Sequence, residues 1–141
     1  MSTTLNFNDG RKRLAINGDE SRIITVNPTD ISIVSRYSET VPKLEELVKK
    51  YSEIKSEITI DEAVRINNEL DAEAKKFIDY IVGSPVSDVA FGTANCLSYA
   101  GGQTIFENFL TAYMEYMEPN IKSEYEKSKK RVSKYTKQIE K

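Results

Sequence analysis

The chain has no histidine and no tryptophan, and its only cysteine is Cys96. Without histidine there can be no Ser/His or Cys/His nucleophile pair, no imidazole base near neutral pH and no zinc site that needs an imidazole ligand. One cysteine cannot close a disulfide within the chain, and Cys96 has no base beside it, so we expect a buried apolar side chain. These absences predict a protein that is not an enzyme and that uses no cofactor or metal.

Long apolar runs are also missing. No stretch approaches the roughly 18 consecutive apolar residues of a transmembrane helix, and the polar start lacks the apolar core of a signal peptide. With 39% hydrophobic and 30% charged residues over 141 positions, the composition is that of an ordinary folded domain. We therefore expect one cytoplasmic domain that makes no contact with a membrane.

The 20 basic and 22 acidic residues are unevenly placed along the chain. Residues 118–141 hold eight basic and four acidic side chains, a net charge of +4, which leaves −6 for residues 1–117. A basic stripe can neutralise nucleic-acid phosphates, so a nucleic-acid-binding regulator is one alternative. Because Glu124, Glu126 and Glu140 interrupt the stripe, a solvated tail helix is the favoured interpretation, and nucleic acid is not an expected partner.

The first 27 residues alternate short β-prone runs with turn signals. Three runs, at 5–7, 14–16 and 23–26, are separated by turn clusters at 8–10 and 17–19, whose Asp-Gly and Asn-Gly pairs favour hairpin turns. The pattern predicts an antiparallel β-hairpin or a three-strand ribbon. So small a unit is marginal alone, and it must pack on helices or on another chain.

The first helix is predicted to have Asn27 as N-cap, Pro28 at its first position and Asp30 near the positive end of its dipole. Pro42 predicts a kink, or a restart capped by Thr40. A heptad-like apolar stripe indicates a helical partner for this helix. Its members are Val34, Tyr37, Val41, Leu44, Val48 and Tyr51.

A second helix is predicted from the capping box of Thr59 and Glu62 to the stop signals Gly83 and Pro85. Its apolar stripe comprises Ala63, Ile66, Leu70, Ala74, Phe77 and Ile81. Residues 84–102 are rich in small side chains and can hold one or two short helical turns, around 86–91 and 94–99. The glycine pair at 101–102 lacks the flanking residues of a phosphate-binding loop, so a turn between closely packed helices is the favoured interpretation.

The last helical pattern starts at Gln103 and is apolar over more than one face. One side is expected to pack in the core and another to contact a partner protein, where methionines adapt well to different surfaces. The predicted protein-binding residues are Phe109, Tyr113, Met114, Tyr116 and Met117. Pro119 predicts a break or kink, after which residues 119–141 form a basic amphipathic helix that binds a partner or a second copy of the chain, or that frays.

Together these patterns predict an α+β fold that is mostly α. Residues 1–118 form a single domain, in which a β ribbon (1–27) precedes a helical body (28–118), and a long C-terminal helix projects from it.

The central part of the chain carries a family resemblance. Residues 87–92 (Ser-Asp-Val-Ala-Phe-Gly), the cysteine at 96, residues 99–102 (Tyr-Ala-Gly-Gly) and residues 106–110 (Phe-Glu-Asn-Phe-Leu) are followed by a variable charged tail. This layout resembles the small tail assembly chaperones of long-tailed phages and prophages in Gram-positive bacteria, over roughly residues 10–118. The resemblance implies that Asp88, Phe91 and Gly92 form a structural turn. It also implies that Phe106, Phe109 and Leu110 belong to an aromatic helix.

The resemblance also implies a function. It is that of a non-enzymatic protein in the cytoplasm of the bacterial host, which holds the long, largely helical tape measure protein soluble and helps to recruit tail tube subunits around it. The implied partners are the tape measure protein and the tail tube protein, and the chaperone is absent from the finished virion. The alternatives are a structural minor tail or connector protein that stays in the particle, and the nucleic-acid-binding regulator already mentioned.

Overall fold

The computed structural model describes residues 2–52 and 58–139, without side chains for Val48, 51–52 and 132–139. Two strands and two helices come first, namely β1 (Lys12–Ile16), β2 (Asp19–Val26), α1 (Ser32–Ser52) and α2 (Ile60–Val82). They are followed by α3 (Ser87–Phe91), β3 (Tyr99–Ala100), β4 (Gln103–Thr104) and α4 (Ile105–Ile139). This order confirms the predicted α+β class, mostly α, with a long C-terminal helix.

The N-terminal ribbon has two strands. β1 and β2 pair antiparallel around a two-residue turn, in which Asn17 (φ 52°) and Gly18 (φ 74°) both adopt the positive φ that such turns require. The third strand that the sequence allowed at 5–7 does not form, because residues 2–11 are unpaired. Instead of making a hairpin turn, Asn8 and Asp9 accept hydrogen bonds from backbone amides two residues ahead.

The start of α1 differs from the prediction. Asn27 does not cap the helix, because its side-chain oxygen accepts from the Thr29 amide and its carbonyl accepts from the Asp30 amide, which closes a separate turn. The helix begins five residues later, at Ser32, whose amide donates to the Asp30 carboxylate at 3.0 Å. Two cap-forming residues lie close together here, and the second is the one that the helix uses.

Helices α1 and α2 pack antiparallel. Arg36 near the start of α1 donates to the carbonyl of Ile81 near the end of α2 (3.0 Å), and Glu39 accepts a hydrogen bond from the Tyr80 hydroxyl. The Arg36 guanidinium also pairs with Asp30 at 3.4 Å. A cation at the C-terminal carbonyls of α2 both satisfies them and opposes the helix dipole, so Arg36 fixes the two helices to each other.

The buried face of α1 is rotated from the predicted stripe. Ile33, Thr40 and Leu47 are buried, whereas Val34 is 55% exposed and Tyr37 is 38% exposed. The predicted members Val41 and Leu44 are half-buried, and Val48 and Tyr51 lie outside the described side chains. The helix continues through Pro42 without a restart, and the Thr40 hydroxyl donates to the Arg36 carbonyl within the helix rather than capping a new one.

Both ends of α2 are as predicted. The Thr59 hydroxyl accepts from the Glu62 amide at 3.1 Å, and Gly83 closes the helix in the left-handed conformation (φ 83°), with its amide bonded to the Asp79 carbonyl. Of the predicted stripe, Leu70, Ala74 and Ile81 are buried, and the other three members are half-buried. Ile78 and Val82 add to the buried face.

The segment between α2 and α4 contains one helical turn, the smaller of the two numbers that the sequence allowed. The Asp79 carboxylate accepts from the amides of Val86 and Ser87, both at 2.8 Å, and so caps α3. Residues 94–99, where a second helical turn was allowed, form turns and enter the short hairpin of β3 and β4.

Gly101 (φ 67°) and Gly102 (φ 87°) make the two-residue turn of this hairpin. The predicted close packing of two helices there is wrong, because the turn joins two strands. Among the described residues other than chain neighbours, no atom lies within 4 Å of a Cβ placed on either glycine.

Helix α4 starts with a Thr104 cap that was not predicted. The Thr104 hydroxyl accepts from the Glu107 amide and donates to the Glu107 carboxylate, both at 3.1 Å. The helix is not broken at Pro119 and runs to Ile139, so the predicted domain boundary at 118 falls inside it. Ile121 is its last half-buried described residue, and every side chain from 122 to 131 is exposed, which makes this part of α4 project.

One hydrophobic core joins the hairpin, the helix pair, α3 and the first half of α4. Its members from the strands and from α1 are Ile24, Val26, Ile33 and Leu47, and α2 adds Leu70, Ala74, Ile78, Ile81 and Val82. The rest are Val86, Phe91, Cys96, Leu97, Phe106, Leu110, Tyr113 and Met117. The described helices include none that is long and apolar enough to span a bilayer.

Candidate protein-binding surfaces

The five predicted protein-binding residues of α4 separate into core and surface positions. Tyr113 and Met117 are buried, with exposed fractions of 4% and 3%, and so their side chains stabilise the fold and are not free to meet a partner. Phe109, Met114 and Tyr116 are half-buried. The accessible residues lie on two sides of α4, and each side borders a separate concave surface.

The first surface is a groove of about 740 Å³ between β1 and α4, which we name the edge groove. Its lining comprises residues 13–17, Ile24, Ala90, Phe91, Ala100, Ile105, Asn108, Phe109, Ala112, Tyr113 and Tyr116. Successive side chains of a strand point to opposite faces, so a groove lined by five consecutive residues runs along the backbone edge of β1. That edge is free in the described part of the chain, because the sheet contains β1 and β2 alone.

Three aromatic rings form one wall of the edge groove. Phe91 meets Phe109 edge to face, with ring centroids 5.6 Å apart, and Phe109 stacks on Tyr113 at 6.2 Å with an angle of 6° between ring planes. Both arrangements are favourable for aromatic pairs. Because α3 supplies Phe91 and α4 supplies the other two rings, the wall is held from two elements, and it offers a fixed apolar surface to an occupant.

The hydroxyl of Tyr113 is buried and has no hydrogen-bond partner within the described residues. Burial and, to a smaller extent, the nearby carboxylate of Asp30 together raise the pKa of Tyr113 to about 12. The phenol therefore stays neutral under physiological conditions. The ring wall of the edge groove thus carries no charge, which suits an apolar occupant.

The second surface lies between α1 and α4, and we name it the helix seam. A depression of about 360 Å³ there is lined by Tyr37 of α1 with Leu110 and Met114 of α4. The exposed Val34 lies one helical turn before Tyr37 on the same side of α1 and extends this surface. The carboxylates of two glutamates, at 115 and 118, also line this depression. The helix seam therefore combines the exposed part of the predicted α1 stripe with a methionine and an acidic rim.

The turn motif that the family resemblance singled out forms α3 and its end. The Gly92 amide donates to the Asp88 carbonyl at 2.9 Å, and Gly92 has a φ of 58°, which favours glycine. Phe91 is buried against Phe109, whereas Asp88 is exposed in the first turn of the helix. All three residues have positions that the fold explains.

Cys96 is fully buried and linked to α2. Its amide donates to the Asp71 carboxylate at 2.8 Å, and Lys75 pairs with the other carboxylate oxygen at 2.9 Å. Burial, together with the hydrogen bond to Asp71 and the charge of its carboxylate, raises the pKa of Cys96 to about 12. Burial would also raise the pKa of Asp71, but the bonds from Lys75 and Cys96 outweigh it and lower that pKa. Such a thiol is a poor nucleophile.

The start of α4 is not a free anion site. Its first three amides, at 105–107, already donate hydrogen bonds to the carbonyls of Ser98 (2.9 Å) and Cys96 (2.8 Å) and to the hydroxyl of Thr104 (3.1 Å). Across residues 2–52 and 58–139, no group of three or more Cys, Asp or Glu side chains is arranged to hold a metal ion.

Two arginines help to position the surfaces, and the sequence patterns predicted neither of these roles. Arg22 of β2 donates to the carbonyls of Val89 (3.2 Å) and Ala90 (2.6 Å), which ties α3 to the hairpin and fixes one end of the edge groove. Arg36 of α1 likewise ties α1 to α2 through the carbonyl of Ile81. Their partners are backbone carbonyls, which every residue has, so no residue pattern marks them. The Thr104 cap of α4, by contrast, follows the Thr-x-x-Glu pattern, so it could have been predicted from the sequence.

The chain matches no protein-family model, and it gives no significant match to a curated protein or to a solved structure. Its function must therefore be inferred from its own residues and surfaces.

Proposed function

We propose that this protein is a non-enzymatic phage tail assembly chaperone that binds the tape measure protein, the tail tube protein or both during tail morphogenesis in the host cytoplasm. The proposal starts from the resemblance of residues 87–110 to that family. The implied client, the tape measure protein, is long and largely helical, so the chaperone needs a surface that accepts amphipathic helix.

The observation that carries the proposal is the exposure of the helix seam. Val34 and Tyr37 follow a heptad-like spacing, yet they are 55% and 38% exposed because α1 packs on α2 through a different face. Exposed apolar residues at i and i+3 form a short apolar strip along α1, against which the apolar face of an amphipathic helix can lie. Met114 beside Tyr37 is flexible and polarizable, so it can adapt to varied helices.

The acidic rim of the helix seam adds a preference for charge. Glu115 and Glu118 lie next to the apolar positions, and opposite charges across an interface favour correct orientation and fast association. We therefore expect the bound client helix to carry Lys or Arg beside its apolar stripe.

Co-expression with the tape measure protein from the same phage genome tests the proposal. We expect a higher soluble yield of the tape measure protein and a complex that elutes as one species. The double variant Val34→Glu/Met114→Glu should abolish the complex, because it places charge at the apolar contact. Ile60→Glu/Val64→Glu is the matched control, since both residues are exposed on α2.

The result that contradicts the proposal is the absence of a complex with both the tape measure protein and the tail tube protein. Detection of the chain in purified particles by mass spectrometry would instead support a structural minor tail or connector protein.

A further inference from the structure

Residues 2–8, which we name the N-terminal arm, differ in composition from the rest of the chain. The arm reads Ser-Thr-Thr-Leu-Asn-Phe-Asn and has no charged residue, glycine or proline, although 30% of the whole chain is charged. Its two large apolar residues, Leu5 and Phe7, are 83% and 71% exposed. Their spacing of two puts both side chains on one face of an extended segment. Uncharged β-prone segments of this length readily add to a free strand edge.

The edge groove has the features that such a segment needs. The free backbone edge of β1 offers amides and carbonyls for pairing, and the half-buried ring of Phe109 with the exposed Ala112 offers an apolar floor beside it. Four residues of β1 line the groove, a length of roughly 13 Å, and an extended arm of seven residues spans roughly 23 Å. The arm is therefore long enough to cover this part of the edge with alternate residues directed at Phe109.

The base of the arm is held away from this edge in its own chain. The Asn27 side chain, directly after β2, donates to the Asp9 carbonyl at 3.4 Å. A small depression beside it is lined by Asn8, Gly10 and Asn120. These contacts keep the base of the arm on the β2 side of the hairpin, whereas the edge groove follows the opposite edge of β1. An arm from a second copy can enter the groove without breaking them.

We propose that the edge groove binds the N-terminal arm of a second copy of this chain, and that two copies exchange arms reciprocally. Each arm adds a strand antiparallel or parallel to β1 and inserts Leu5 and Phe7 against Phe109 and Ala112 of α4. The exchange gives a two-fold dimer, in which the same two elements are used twice. It covers the exposed edge of β1 and the apolar arm together, which would otherwise promote aggregation. The helix seam takes no part in the exchange.

Sedimentation of the full chain tests the proposal. We expect a species of twice the 16.0 kDa chain mass. Leu5→Ser/Phe7→Ser should raise the dimer dissociation constant about a hundredfold or more, because each dimer loses four buried apolar side chains. Deletion of residues 2–7 should do the same. Ile60→Ser/Val64→Ser is the matched control, since Ile60 is 84% exposed and lies on α2, and it should leave the dimer unchanged.

A second pair of variants distinguishes exchange between chains from docking within one chain. Ala112→Arg fills the groove from an exposed position and should also give monomers, with an unchanged melting temperature. When it is mixed with the arm variant Leu5→Ser/Phe7→Ser, its intact arms can enter the intact grooves of the other variant, and a heterodimer should return. A monomeric wild-type chain, a dimer that survives loss of the arm, or a mixture that stays monomeric would each overturn the proposal. Absence of a complex with both the tape measure protein and the tail tube protein, with the dimer intact, would contradict the proposed function and support the arm exchange.

Discussion

The two halves of α4 have the same helical geometry and opposite surroundings. In the first half, Phe106, Leu110, Tyr113 and Met117 follow a 4-3-4 spacing and are buried against the rest of the fold. In the second half, every described side chain from 122 to 131 is exposed, including Tyr125. The amphipathic pattern continues through both halves, and only the first has α2, α3 and the hairpin beside it. An apolar stripe thus shows which face of a helix can be buried, and whether that face is buried depends on the neighbouring elements.

The largest expected effect is on a ring in the buried half. Phe106→Ala should lower the free energy of unfolding by about 3–5 kcal/mol, the usual cost of removing a buried phenylalanine. Tyr125→Ala in the exposed half should change it by less than about 0.5 kcal/mol. Urea denaturation of both variants measures the difference. Equal losses would show that the two halves are not as different as the structure indicates.

A smaller loss is expected for Phe109, which is half-buried because one side of its ring faces the edge groove. Phe109→Ala should lower the free energy of unfolding by about 2 kcal/mol, because the ring contacts Phe91 and Tyr113. The loss is smaller than for a fully buried phenylalanine, because part of the ring is exposed. Phe109→Leu keeps most of the apolar volume and should cost less. A loss for Phe109→Ala as large as that for Phe106→Ala would mean that the groove is filled in solution.

A gain in stability is expected at Tyr113. Tyr113→Phe removes a buried hydroxyl without a partner among the described residues and keeps the ring, so the free energy of unfolding should rise by up to about 1 kcal/mol. Tyr125→Phe is the control, because its hydroxyl is on an exposed residue and should have no effect. Thermal and urea unfolding together measure the change. Destabilisation by Tyr113→Phe would indicate that the hydroxyl makes a bond in solution.

The smallest effect is expected from deleting residues 122–141. The cut keeps Ile121, which packs on the core, and removes the projecting half of α4. The free energy of unfolding should stay within about 0.5 kcal/mol of the full chain, since no buried side chain of the described part is lost. A loss of several kcal/mol would show that the projecting half packs on the body or on a second copy.

The ends of a helix could be predicted where only one nearby residue was able to act as the cap. Thr59 and Gly83 are the caps of α2 in the structure, because a hydroxyl before the first turn and a left-handed glycine after the last have few alternatives. The start of α1 was predicted wrongly because Asn27 and Asp30 can both cap. Asn27 closes a local turn instead, and its side-chain amide also donates to the Asp9 carbonyl ahead of β1, so its role depends on contacts distant in the sequence.

The buried face of α1 shows a second limit. Two apolar stripes one residue apart run along this helix, one through Val34 and Tyr37 and the other through Ile33 and Leu47. The sequence favoured the first, and contact with α2 selected the second, helped by the bond between Arg36 and the carbonyl of Ile81. Heptad spacing identified an apolar surface correctly and could not tell whether the helix would cover it internally.

The two concave surfaces were only partly predictable. The accessible residues Phe109, Met114 and Tyr116 were among those predicted to bind protein, but their division between the edge groove and the helix seam depends on tertiary packing. The edge groove needs β1 to lie beside α4, and Arg22 helps to place the hairpin through two backbone carbonyls. Bonds to backbone groups leave no pattern in the sequence, so this arrangement required the structure.

The burial of Cys96 has a practical consequence for labelling. With a pKa of about 12 and no exposed surface, the single thiol of the chain is protonated and shielded from alkylating reagents in the native state. A cysteine placed at an exposed position, for example in the N-terminal arm, can therefore carry one probe without removal of the native residue. The native thiol becomes reactive only when its loop separates from α2, so its alkylation rate reports how often that part of the core opens.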